Sequence, residues 1–162
     1  KKSFDTLKFL CYNIVRTKEK GLSIMITSNT RAERKHSSMM DKYEIRMIRK
    51  VLNKRMNQIE CGLIFSRHSQ ERMIERKVRI KDIMDVFENY TIVEFTNDEV
   101  NGENLHRVVL RGKQNIDGFN IVLSYCFEKN AVVTVWKNKV DNNHENLNIK
   151  LYTLDKVRVK GL

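Results

Sequence analysis

Three side chains that could act on a phosphate recur at four-residue steps near the middle of the chain. His68, Arg72 and Arg76 would therefore all emerge on one face of an α-helix. Histidine exchanges protons near neutral pH, and arginine holds the charge of a phosphate. This pattern is suited to metal-independent RNA cleavage, in which a base takes the 2′-hydroxyl proton and fixed cations stabilise the phosphorane.

The same spacing also allows a purely structural interpretation. Arg72 and Arg76 could pair with Glu71, Glu75 or Glu88 on the helix surface, while the histidine merely begins the helix. By spacing alone this interpretation is the favoured one. Further residues are needed to support a catalytic role.

A second group of side chains falls on predicted strands. Arg107 and Arg111 share one strand face, and Thr134, Trp136 and Asn138 share a face of a later strand. If the two faces coincide, they form a pocket in which Arg107 neutralises a phosphate and Thr134 positions it. Trp136 would then either stack on a base or anchor the end of its strand.

The elements that must position these residues follow from hydrophobic periodicity and turn signals. Apolar residues at three- and four-residue steps predict an amphipathic helix at about 38–59, followed by two short helices. Four strands rich in β-branched and aromatic residues come next, and their short connections favour antiparallel neighbours. We therefore predict an α+β fold in which helices are followed by a four-stranded antiparallel sheet. The predicted later elements are helices from Ser66 or Ser69 to about Lys77 and from Ile80 to Asn89, and strands Thr91 to Phe95, Leu105 to Arg111, Phe119 to Phe127 and Val132 to Trp136.

Charge is concentrated at the N-terminal end. The chain carries 31 Lys and Arg against 20 Asp and Glu, a net charge of +11, and residues 1–60 alone hold 15 basic and 6 acidic side chains. One flank of the predicted helix at 38–59 carries Arg46, Arg49, Lys50 and Lys54. We expect this basic extension to contact an RNA backbone, although a solvated face on a helix packed against the core is the commoner case.

Composition excludes several other classes. Neither the four histidines nor the three cysteines have metal-ligand spacing, and there is no Gly-rich phosphate loop, so no metal or other cofactor is expected. The cysteines are predicted to be buried thiols. No apolar run approaches the length of a membrane span, and no signal peptide is recognisable, so we expect a cytoplasmic protein without membrane contact, in the host cytoplasm if it is phage-encoded.

One stretch of sequence resembles a known group of proteins. The small phage and bacterial domains of RelE-like fold share the pattern F-S-x-H-x-x-x-R-x-x-x-R, a second helix and a sheet ending in a Val-x-Thr-Val strand. The matching residues, within about 62–144, are Phe65-Ser-Arg-His68-Ser-Gln-Glu71-Arg72-Met-Ile-Glu75-Arg76, Ile80-Lys-Asp82, and Val132-Val-Thr134-Val135.

The resemblance implies membership of the barnase, EndoU, colicin and RelE grouping, and hence an endoribonuclease that leaves a 2′,3′-cyclic phosphate. The helix pair is also similar to that of the phage endoribonuclease RegB. By that pattern His68 matches one of two catalytic histidines, while the second falls at Glu88. Either Glu88 or His144 is then the second acid or base, or the mechanism differs. The glycine that usually follows the second arginine is Lys77 here, so we expect a differently built turn.

Three segments are predicted: a basic extension at 1–60, a RelE-like domain at 62–144, and a tail at 145–162 with an edge strand at 147–151. The expected function is cleavage of mRNA, ribosome-associated RNA or structured RNA, with Arg76, Arg111 and Trp136 as further RNA contacts and room for a neutralising protein partner. The alternative is a non-enzymatic phage-type inhibitor that docks on a host protein, ribosome or RNA. A DNA-binding regulator is disfavoured, because residues 38–59 lack a helix-turn-helix signature.

Overall fold

The computed structural model describes residues 33–100, 102–142 and 152, with the backbone alone for 99 and 100. Outside these residues lie the predicted edge strand at 147–151, His144, and residues 1–32 of the predicted basic extension. The described part is α+β, as predicted. Its elements are β1 (Glu33–His36), a 3-10 turn (Ser37–Met39), α1 (Lys42–Gly62), β2 (Ile64–Phe65), α2 (Arg67–Glu75), α3 (Ile80–Glu88), β3 (Tyr90–Val100), β4 (Glu103–Gly112), β5 (Phe119–Cys126) and β6 (Ala131–Lys139).

Polar side chains at the helix starts fix where α1 and α2 begin. The Asp41 carboxylate accepts from the backbone N–H of Glu44, and the Glu44 carboxylate accepts from the backbone N–H of Asp41, a reciprocal capping box that begins α1. The Ser66 hydroxyl accepts from the backbone N–H of Ser69 and begins α2. Lys77, between α2 and α3, has a φ of 52°. Lys77 thus adopts the left-handed conformation that glycine reaches most easily.

Among the described residues the sheet has six strands, in the order β1-β3-β4-β5-β6-β2. Strands β3 to β6 form the predicted antiparallel meander. Strand β1 adds antiparallel to β3, and β2 adds parallel to β6, so the predicted total of four antiparallel strands was wrong. Strand β1 was missed because its four residues are all polar, and β2 because it has only two residues.

Helices α1 and α3 share one core with a single face of the sheet. Side chains at three- and four-residue steps of α1 are buried: Ile48, Val51, Leu52 and Ile59. They belong to one apolar cluster with Ile83, Val86 and Phe87 of α3 and with the sheet row Phe95, Val108, Tyr125 and Val132. Helix α1 is thus part of the folded core.

The opposite sheet face is polar. Its cross-strand rows include Arg34, Thr96 and Arg107, and next to them His36 and Glu94. The Tyr152 hydroxyl donates to Glu94 at 2.8 Å, and burial raises the pKa of Tyr152 to about 12. This face therefore carries hydrogen-bonded side chains in place of a second helical layer among the described residues.

Two further predictions concern cysteines and membranes. Cys126 is buried as predicted, Cys61 is exposed, and Cys11 lies outside the described residues. Burial raises the pKa of the Cys126 thiol. No helix in the described part of the chain is long and apolar enough to cross a membrane.

A buried ion pair joins β1 to α1. Lys35 Nζ donates to both carboxylate oxygens of Glu44, at 2.8 and 3.0 Å, and the two side chains are 5% and 3% exposed. Because Glu44 also closes the capping box of α1, the cation supports the strand and the start of the helix together. A four-residue polar strand is held at the sheet edge by this contact.

Replacing Lys35 with Met should lower the free energy of unfolding by about 3 kcal/mol, because the buried carboxylate of Glu44 loses the ammonium that donates to both of its oxygens. The control is Arg67→Met, which removes a pair with Glu71 in which the arginine is 94% exposed and should cost under about 1 kcal/mol. Chemical denaturation measures both. Equal losses in the two variants would contradict the role given to the buried pair.

Candidate functional site

The candidate site lies where α2 runs beside β6 at the edge of the sheet. Strand β2 pairs with Ala131 and Val132 of β6, and the chain then turns into the helix. The Ser66 hydroxyl donates to the backbone carbonyl of Val133 at 2.8 Å, and Arg76 Nη1 donates to that of Val135 at 2.6 Å. We call this set of contacts the α2–β6 junction; it places one face of α2 against the outer edge of β6.

An open groove of about 440 Å³ lies along the junction. Its floor comes from β6 and its wall from the exposed face of α2. His68 is exposed, whereas Arg72, Arg76 and Trp136 are each half-buried. The lining residues are His68, Arg72, Arg76, Thr134, Trp136 and Lys137.

The groove gathers five side chains that the sequence singled out, from two segments about 60 residues apart. Sequence reasoning missed the sixth, Lys137. In the register of the sheet Lys137 pairs with Ile121 while Trp136 pairs with Val122, so simple alternation assigns Lys137 to the opposite face. Beyond Val132, however, no strand among the described residues pairs with the outer side of β6, and the lysine borders the groove.

An irregularity in β6 determines which side chains reach the groove. The register shifts so that Val132 pairs with Tyr125 while Thr134 pairs with Ser124. Val132 and Val135 consequently both face the core, and Thr134 and Trp136 both face away from it. Alternation counted back from Val135 predicts Val133 on the core side as well. Val133 is the extra residue of the bulge, however, and is only half-buried.

The two arginines that line the groove, Arg72 in α2 and Arg76 directly after it, both have partners within the protein. Arg72 Nη1 donates to Glu75 at 2.6 Å in an exposed pair, as the structural interpretation predicted. Arg76 instead donates to the Val135 carbonyl. Glu88, at the end of α3, is exposed and does not line the groove.

Arg107 and Arg111 lie on the sheet face that carries Trp136, so the two faces coincide, but neither arginine lines the groove. They stand two strands away, about 10 Å across the sheet. Arg107 forms an ion pair with Asp98, which leaves it no contact with the groove. Arg111 donates to the Asn120 side chain and to the Lys139 and Val140 carbonyls, so it fastens the end of β6.

The two other described histidines are structural. His106 is buried and lies 2.6 Å from the Glu128 carboxylate, which also accepts from its backbone N–H. His36 Nδ1 accepts from the backbone N–H of Ser38, and burial lowers the pKa of His36. No metal-binding cluster of His, Cys, Asp or Glu occurs in the described part of the chain. Among the lining residues, His68 is the one suited to proton transfer near neutral pH.

A second basic surface lies on α1. Its side chains are exposed on the side opposite the buried apolar residues, and none forms an ion pair with a described carboxylate. From first to last they span about 18 Å of helix. The residues of this α1 basic face are Lys42, Arg46, Arg49, Lys50 and Lys54.

Comparison with known proteins gives a match to a family model. Residues 65–137 match the model of a family described as a domain of unknown function, DUF4258. The matched segment contains all six residues that line the groove and none of α1. No curated protein and no solved structure matches the chain.

The Arg76 contact should be the stronger of the two arginine interactions. Arg76→Gln removes a charged donor from a partly buried carbonyl and should cost about 1.5 to 3 kcal/mol. The matched change Arg72→Gln removes only an exposed pair with Glu75 and should cost under about 1 kcal/mol. The two variants are compared by chemical denaturation and by hydrogen exchange of the α2 amides. Unchanged α2 protection in Arg76→Gln would refute the anchoring role.

Proposed function

We propose that the protein is a metal-independent endoribonuclease whose active site is the groove at the α2–β6 junction. The observation that carries the proposal is the convergence of one histidine, two arginines and a lysine around a single open groove. These are the groups that 2′-hydroxyl attack on a phosphodiester requires: a proton acceptor and fixed positive charge. The resemblance of this segment to RelE-like domains supports the same reaction as an analogy.

In the proposed reaction the 2′-oxygen bonds to phosphorus while the bond from phosphorus to the 5′-oxygen breaks. The imidazole of His68 takes the 2′-hydroxyl proton, and the leaving 5′-oxygen takes a proton from water, which reaches the open groove. Arg72 and Lys137 stabilise the negative charge that grows on the phosphoryl oxygens. The Thr134 hydroxyl donates to the phosphate and positions it. The products are a 2′,3′-cyclic phosphate and a 5′-hydroxyl.

Arg76 combines two tasks in this proposal. Its guanidinium holds the α2–β6 junction through the Val135 carbonyl, and it also borders the groove. Since a guanidinium has five N–H donors, the bond to the carbonyl leaves others for a phosphate. Arg107 and Arg111 have no direct role in the reaction, because their contacts lie elsewhere on the sheet.

The α1 basic face gives the proposed enzyme a second contact with RNA. Its cations are exposed along one helix side and have no described carboxylate as partner. A row of this kind binds phosphates without reading sequence, and its affinity depends steeply on salt. We assign it backbone binding and not catalysis.

The alternative is a non-enzymatic docking protein. It is favoured by the 80% exposure of Ile74 on α2 and by the fact that Arg72 and Arg76 already have partners. A docking protein would tolerate loss of His68 and would be sensitive at Ile74. Loss of His68 should therefore damage the nuclease, whereas a change at Ile74 should damage the docking protein.

His68→Ala should reduce RNA cleavage about 100- to 10,000-fold, the usual contribution of a general acid or base. The measurement is incubation of a long mRNA transcript with purified protein in excess chelator, followed by analysis of the product ends. Wild type should give discrete cuts ending in cyclic phosphate. Because His68 is exposed, the thermal stability of the variant should be unchanged.

Two control variants sharpen this experiment. Arg67→Ala changes an exposed neighbour outside the groove, and Glu88→Gln removes the other proposed acid or base; both should cleave like wild type. Loss of cleavage in Glu88→Gln alone would transfer the proton-transfer role to α3. Intact RNA with wild type, together with partner binding that fails in Ile74→Ser, would replace the nuclease proposal with the docking alternative.

Neutralising the α1 basic face should weaken RNA binding and flatten its salt dependence. For single-stranded RNA the slope of log affinity against log salt should fall by about 0.7 for each phosphate that the helix no longer binds. The test compares two fourfold Lys or Arg to Gln variants over a salt series. One changes Arg46, Arg49, Lys50 and Lys54, and the other changes the exposed lysines Lys81, Lys113, Lys129 and Lys139. Equal slopes in both variants would show that α1 makes no special contact.

A further inference from the structure

The groove contains an aromatic ring among its cations. Trp136 is half-buried on β6 and borders the groove beside Thr134 and Lys137, opposite the arginines of α2. Its strand partner Val122 fixes it on the sheet face directed away from the helical core. The indole is therefore placed by the backbone of the sheet, next to the groups proposed to hold a phosphate.

This arrangement matches the chemistry of one nucleotide. Aromatic side chains in single-stranded nucleic acid sites stack on bases, while neighbouring basic residues bind the backbone. The groove volume of about 440 Å³ lies in the range of sites for small ligands, about 300 to 1,000 Å³. A nucleotide is of that size, whereas a duplex is not.

We propose that Trp136 stacks on a base of unpaired RNA, so that the groove selects single strands over duplexes. The inference rests on the proposed function, because it takes the RNA phosphate to lie among His68, Arg72 and Lys137. A base inside a duplex has both faces covered by its neighbours and cannot offer one to the indole. Selection therefore arises from stacking and not from base-edge hydrogen bonds, and it is tolerant of sequence.

The chain provides its own probe, because Trp136 is its single tryptophan. The ligands are 2′-O-methyl RNA strands of mixed sequence, which lack the attacking hydroxyl and so report binding without cleavage. Three forms are compared: the unpaired strand, the same strand annealed to its complement, and an abasic strand with the same phosphates. Tryptophan fluorescence reports stacking, and the polarisation of a labelled strand reports binding in parallel.

We expect the unpaired strand to quench the fluorescence, and the duplex and abasic strands to bind more weakly without quenching. Trp136→Leu should weaken binding of the unpaired strand about 5- to 140-fold, the loss of one stacked base. Trp136→Phe should stay close to wild type. The control Phe119→Leu, at a half-buried aromatic on β5 that does not line the groove, should not differ from wild type.

The outcomes separate this inference from the nuclease proposal. Quenching by the unpaired strand without cleavage of ordinary RNA would support stacking and reject the nuclease. Cleavage without quenching would reject stacking and leave the nuclease standing. Equal quenching by the duplex, or no binding of any strand, would overturn the selection of unpaired RNA. Because the fluorescence assay uses wild-type protein, this result does not depend on the folding of a variant.

Discussion

The candidate site depends on the attachment of α2 to the edge of β6. A two-residue parallel strand pairs with the start of β6, and beyond it the Ser66 hydroxyl and the Arg76 guanidinium satisfy backbone carbonyls that would otherwise remain open at a sheet edge. Residues at both ends of the helix thus fix its position along the strand. The spacing of His68, Arg72 and Arg76 becomes a groove wall only because this attachment directs their common face along β6.

The bulge in β6 is the second requirement, and it acts through the core. Strict alternation from Val132 would direct Thr134 and Trp136 toward α1 and α3, where a threonine hydroxyl and an indole N–H would need buried partners. One extra residue reverses the alternation, so that Val135 stays in the core while the polar positions leave it. This single irregularity keeps apolar side chains in the core and places Thr134 and Trp136 at the groove.

Sequence patterns predicted much of this arrangement. Capping residues and apolar periodicity gave α2 and α3 within about two residues at each end, and the four central strands follow from β-branched and aromatic runs. The polar strand β1 could not be predicted this way, because it has no apolar alternation. It pairs with β3, and its Lys35 forms a buried ion pair with Glu44, nine residues along the chain. The sequence did not single out Lys137, and it placed Arg107 in the pocket, for a related reason. Whether Lys137 borders the groove depends on which element covers the edge of β6. Whether Arg107 reaches the groove depends on the neighbouring carboxylate, which is that of Asp98.

The structural and catalytic interpretations of the α2 face are compatible on energetic grounds. The Arg72 pair with Glu75 is exposed on both sides, at 37% and 59%, and such a pair contributes under about 1 kcal/mol. A phosphate entering the groove could take over the Arg72 guanidinium at little cost, since charge-assisted bidentate contacts are the stronger kind. The Arg76 bond to a partly buried carbonyl is costlier to break and would persist. Arg72 can therefore exchange partners while Arg76 keeps the groove in place. A phosphate-binding site uses both properties, whether or not the strand is cleaved there.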